Sequence, residues 1–177
     1  MELGAHFLEN ARFEARRLKA LAERAVDQVT DDALLHQALD EESNSIAVVM
    51  QHLGGNLASR WTRFLETDGE KPDRNRDSEF EPHPVLGRSA LMEIWERGWS
   101  RCLETLDSLT PDDLSKTVLI RGEEHTVPQA IQRQIVHTAY HVGQIVFLAK
   151  HLASARWTSL SIPRGGSSAA KGGYRKL

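Results

Sequence analysis

The sequence predicts an all-α four-helix bundle. Three observations carry this: four long segments repeat apolar residues at helical spacing, none of the six prolines falls inside one of them beyond its first turn, and the stretches between are short or rich in turn residues. At 177 residues the chain suits one domain that buries about two thirds of its unfolded surface. That domain is expected over residues 1–163, with 164–177 a Gly, Ser and Lys-rich flexible tail.

The first helix is expected over residues 2–28, with Leu3, Phe7, Leu8, Ala11, Ala15, Leu18, Leu21 and Ala25 on one stripe. Thr30-Asp31-Asp32 offers capping oxygens to a short helical connector over 33–39. The second long helix is expected to begin between Glu41 and Asn44 and to run through Ile46, Val49, Leu53, Leu57, Trp61 and Phe64. Its Gly54-Gly55 pair lowers helix propensity, which points to close packing or a local distortion there.

Residues 66–84 are polar and turn-rich, long for a structureless connection in a compact domain. A third helix follows over 85–109, with Leu91, Ile94, Trp95, Cys102 and Leu106 inward. Residues 116–126 read as a small β-hairpin around Arg121-Gly122-Glu123-Glu124. Thr126-Val127-Pro128-Gln129 then has the Thr-x-x-Gln form of a capping box and opens the last helix, through Ile131, Ile135, Thr138, Val142, Ile145, Leu148 and Leu152. Apolar anchors continue over 157–163.

Composition narrows the function. The net charge of −3 offers no electrostatic reason for a nucleic-acid partner, and the basic residues Lys171, Arg175 and Lys176 sit in a glycine-rich end that reads as solvated. No apolar run approaches the roughly 18 residues of a membrane span, and Met1 to His6 does not resemble a leader, so a cytoplasmic protein is expected. With Cys102 the single cysteine, an intrachain disulfide and a thiolate-rich zinc cluster are excluded, and Cys102 itself reads as a small core residue.

Eight histidines direct attention to metal chemistry. His137 and His141 are four residues apart, so both rings project from one helical face and can reach one cation; His52, on the second helix, can add a third nitrogen across the bundle. Three neutral nitrogens leave a coordination position open, and a divalent ion so held lowers the pKa of the water or thiol that fills it. The same His pair also suits two half-buried residues without a metal. Thr138 follows His137 where a zinc peptidase has glutamate, which disfavours that class. His6, His36, His83, His125 and His151 sit on polar faces, turns or helix ends, although His125 in the hairpin could approach the site.

His52-Leu53-Gly54-Gly55-Asn56, the hairpin, and His137-Thr138-Ala139-Tyr140-His141 with Val142-Gly143-Gln144-Ile145 together resemble the DinB-like superfamily over nearly the whole chain. The chain is most similar to a bacterial branch known as a domain of unknown function, through the runs at 42–47, 55–60, 68–71, 74–77 and 160–165. The resemblance implies an up-down-down-up bundle, a divalent site of His52, His137 and His141 for nickel or zinc, and a homodimer. Some members of other branches are transferases using a low-molecular-weight thiol, so a metal-dependent thiol S-transferase acting on small electrophiles is the expectation. A non-catalytic dimeric metal-binding or stress-related bundle, and a metal-dependent hydrolase with Glu41 or Glu42 as base, stand as alternatives.

Arg60, Arg74, Arg76 and Arg164 can offer guanidinium forks to a substrate carboxylate; equally, they can pair with Asp68, Glu70, Asp77 and Glu79 and pin the loop. Asn56, Asn44 and Gln144 are open to the same two readings, as partners of the histidines or as loop supports.

Overall fold

The computed structural model describes residues 2–81 and 86–170. Four long helices, one short helix and one two-stranded sheet make the chain mostly helical: α1 Leu3–Val26, α2 Asp32–Leu35, α3 Ile46–Trp61, α4 Arg88–Ser108 and α5 Val127–Ala153, with β1 Thr117–Ile120 and β2 Glu123–Thr126 between the last two helices. The four long helices close a ring of contacts, α1 on α4, α4 on α3, α3 on α5 and α5 on α1. Their shared core contains Leu18, Leu53, Trp61, Trp95, Trp99 and Ile131. No helix among the described residues is long and apolar enough to cross a membrane.

Several boundaries differ from the expectation. Leu3, at the first turn of α1, lies beyond the neighbouring helices and is 85% exposed. The helix α3 starts at Ile46, later than Glu41–Asn44, because Ser45 is the cap that accepts the Val48 amide hydrogen, whereas Asp40 caps a separate turn through Glu42 and Ser43. It stops at Trp61, before Phe64, as Thr62 turns extended and Arg63 takes a positive φ of 49°. The helix α4 starts at Arg88, later than the expected Val85, because Gly87 is extended (ψ 156°) and stands as its cap; Val85 itself, His83, Lys171, Arg175 and Lys176 lie outside the described residues.

The Gly54-Gly55 pair has two separate purposes. Gly54 faces α4, where a Cβ would stand 2.7 Å from the Ile94 carbonyl oxygen, and a Cβ on Gly98 would collide with the Gly54 carbonyl in return. The two backbones therefore touch, an approach only hydrogen side chains permit. Gly55 faces the loop, where a Cβ would overlap Glu79 Oε1.

The hairpin pairs antiparallel from Thr117↔Thr126 to Ile120↔Glu123, so Glu123 and Glu124 belong to a strand and the turn is Arg121-Gly122 alone. Both turn residues have positive φ, 56° and 76°, as a tight two-residue hairpin connection requires. The Thr126–Gln129 capping box forms with both of its hydrogen bonds. Past α5, Leu160 is buried and Trp157 half-buried against the core, Ile162 is exposed, and the described residues 164–170 form turns at the surface.

The segment after α3 is more ordered than its composition suggests. Ser59 Oγ donates to the Gly69 carbonyl and accepts from the Lys71 amide, and the Asp68 carboxylate accepts from the amides of Glu70, Arg121 and Gly122. Asp68 thereby joins the loop to the hairpin tip. The segment ends in a 3₁₀ turn, Asp77–Phe80, that lies on α3 and presents Glu79 to it.

Candidate metal centre

His52 is brought to the bundle interior by α3, and His137 and His141 by successive turns of α5. One ring nitrogen from each lies within 4.8 Å of the others, and His52 Nε2 stands 3.4 Å from His137 Nε2. Two nitrogens bound to one tetrahedral zinc at 2.0–2.1 Å would stand about 3.3 Å apart, so this pair already has ligand separation.

The hydrogen bonds around the rings decide which nitrogens are free. Burial works to raise the Glu79 carboxyl, but hydrogen bonds from His52 and Arg74 outweigh it and hold the group below the usual range. It is therefore a charged acceptor, and His52 Nδ1, 2.9 Å away, must carry the hydrogen it donates. His141 Nδ1 donates in the same way to Gln144 Oε1 at 2.7 Å. In the neutral rings both Nε2 lone pairs are left for the centre. Burial, followed by the neighbouring His141 and His52, pushes His137 down to about 3, and burial also lowers His141. Neutral imidazole is the form a cation binds.

Arg74 fixes Glu79 from the other side with a fork, Nε to Oε1 and Nη2 to Oε2 at 2.7 Å each, and also reaches Glu70 at 3.3 Å. The chain Arg74–Glu79–His52 is thus a carboxylate–histidine support of the kind that orients metal ligands. His137 differs: its Nδ1 is buried without a partner among the described residues.

The three histidines open on a cavity of about 410 Å³, which Asn56, Arg60, Arg74, Arg76 and Gln144 also line. Asn56 Oδ1 accepts from Gln134 Nε2 at 3.1 Å, so it stabilises the α3–α5 contact instead of a histidine. Arg76 stacks on the Phe80 ring at 4.9 Å and lies 3.8 Å from Asp77. Arg74 serves the loop-pinning alternative. Arg164 is exposed and does not line the cavity. Nor do His125, which accepts from Arg133 in the hairpin, and Glu41 and Glu42, which face a neighbouring cavity of about 660 Å³.

Sequence reasoning missed Arg121, Arg133 and Gln134 on the wall, and Glu79 as the partner of His52. Arg133 was within reach, four residues before His137 and so on the same face. Nothing in local spacing announces Glu79, which meets His52 across 27 residues.

The sequence matches, over residues 2–166, the family described as "Protein of unknown function (DUF1572)". The chain belongs to that family. No curated protein matches it. In this DUF1572 chain, then, His52, His137 and His141 form a group that could hold a metal ion.

Proposed function

We propose that this chain is a DinB-like, up-down-down-up metalloprotein of the cytoplasm, in which His52, His137 and His141 bind nickel or zinc and serve a thiol S-transferase. The observation that carries the reading is the convergence of three ring nitrogens, two from rings whose Nδ1 is engaged by Glu79 and Gln144, on an open cavity. When bound, a divalent ion supplies Lewis acidity that makes a thiol acidic near neutral pH.

This chain's own residues do the remaining work. Glu79 and Gln144 keep the imidazoles aimed inward, while Arg74 keeps Glu79 charged and in place. Among the described residues no carboxylate lines the cavity, so the hydrolytic alternative lacks a general base, whereas sulfur transfer needs none once the thiol is ionised. With monochlorobimane as electrophile, the thiol loses its proton to solvent, sulfur bonds to the bimane carbon and chloride leaves.

Two measurements test the reading. Elemental analysis of untagged protein is expected to find about one nickel or zinc per chain, lost in His52→Ala and His141→Ala. The metal-loaded protein is expected to consume a low-molecular-weight thiol with monochlorobimane. Metal without turnover for any thiol would leave the non-catalytic bundle as the function.

A homodimer belongs to the same proposal. Val136, Tyr140 and Phe147, each 64% exposed, form one apolar stripe on α5 that a second copy would cover. Size-exclusion chromatography of Val136→Glu/Phe147→Glu beside the parent chain tests it, with a shift to monomer expected.

A further inference from the structure

Arg60 is one of the cations on the wall of the histidine cavity. It lies on α3 two turns beyond His52, is only 9% exposed, and leaves Nε and Nη1 buried without a hydrogen-bond partner among the described residues. A buried guanidinium with no partner is strongly disfavoured. Burial first, and then Arg133, Arg74 and Arg121 nearby, pull its pKa down to about 10, which still leaves it charged at neutral pH.

Glu70 offsets part of this effect, but it is committed to other cations. Arg74 is neutralised by Glu79 and Glu70, and Arg121 shares Glu70 at 3.1 Å, so that one carboxylate is divided between two cations. Among the described residues Arg133 finds a ring nitrogen and no carboxylate, His125 Nε2 at 2.9 Å. Arg60, Arg121 and Arg133 all line the cavity that holds the three histidines. The cavity thus carries excess positive charge, and its forked donors suit a planar two-oxygen anion.

We propose that Arg60, assisted by Arg121 and Arg133, binds a carboxylate of the small-molecule substrate, so that the site selects carboxylate-bearing reactants and holds their reacting end toward the histidines. This rests on the reading of the cavity as the reaction site, but anion binding itself needs no metal.

The test uses the full chain stripped of metal with EDTA and titrated calorimetrically, at low ionic strength, with malonate and with its neutral analogue malonamide. Malonate is expected to bind and malonamide not. Arg60→Met, which keeps the aliphatic stem, is expected to weaken malonate at least about tenfold, to melt no lower than the parent because an only partly compensated charge is removed, and to take up nickel as the parent does. Arg133→Gln is expected to weaken malonate less, and exposed Arg164→Gln not at all. Unchanged malonate affinity in both Arg60→Met and Arg133→Gln, or equal binding of malonamide, overturns the inference. Should Arg60→Met not fold, the Arg133→Gln result decides alone. Nickel uptake of the parent is read separately: malonate binding without nickel uptake sinks the metal reading and leaves the carboxylate subsite, and the reverse result does the opposite.

Discussion

Glu79 meets His52 Nδ1 at 2.9 Å from a 3₁₀ turn 27 residues further along the chain. The contact places the hydrogen on Nδ1 and leaves the Nε2 lone pair facing the other two histidines. Glu79→Gln keeps the shape but removes the charge that Arg74 and His52 share. Removal of such partners lowers metal affinity about 10- to 100-fold, and competitive chelator titration of Glu79→Gln should return a loss in that range with helical circular dichroism unchanged. Parent-like affinity would show that His52 orients itself.

Two glycines are expected to fail differently. In Gly98→Ala the new methyl meets backbone at Gly54, which cannot give, so a loss of about 1–3 kcal/mol is expected in denaturant unfolding. In Gly55→Ala the methyl meets the end of the Glu79 side chain, which can swing away. That variant should unfold near the parent's midpoint yet bind metal as weakly as Glu79→Gln.

Asp68 gives the stability a pH dependence. Burial disfavours its charged form, but the amides of Glu70, Gly122 and Arg121 outweigh burial and depress its pKa below the ordinary 3.8. A depressed folded-state pKa contributes stability that is complete above the unfolded value and fades as pH falls below it. Asp68→Asn should therefore cost about 1 kcal/mol at pH 7, at the low end for charged hydrogen bonds because the carboxylate is partly solvated. The difference from the parent should shrink below pH 3.8. An Asp68→Asn deficit that persists undiminished at pH 2.5 would contradict this account.

Cys102 is 2% exposed on α4, and burial raises its thiol well above the usual range. Native protein at pH 8 should leave Ellman's reagent unreacted over minutes, and guanidinium should release one thiol per chain. Rapid native reaction would mean that α4 opens readily.

Legibility in the sequence followed the range of each interaction. The hairpin, the Thr126 cap and the His137/His141 pair are local, and residues within four positions of one another announced them. The start of α3 was obscured by competing cap residues, since Asp40, Ser43 and Ser45 all suit the role and only Ser45 accepts from the first turn of that helix. The glycines signalled close approach but not what approached: a backbone at Gly54, a carboxylate at Gly55. Glu79 and Arg121 reach the site through the folded loop and hairpin, and no periodicity along the chain encodes a contact of that kind.

Tyr140 belongs to two surfaces at once. It is part of the exposed α5 stripe, and it also borders the cavity, with its ring 5.1 Å from that of His141. Whatever seats itself on Val136 and Phe147 consequently abuts the doorway to the histidines. In the proposed dimer a partner copy and an incoming small molecule would therefore meet at one phenol ring.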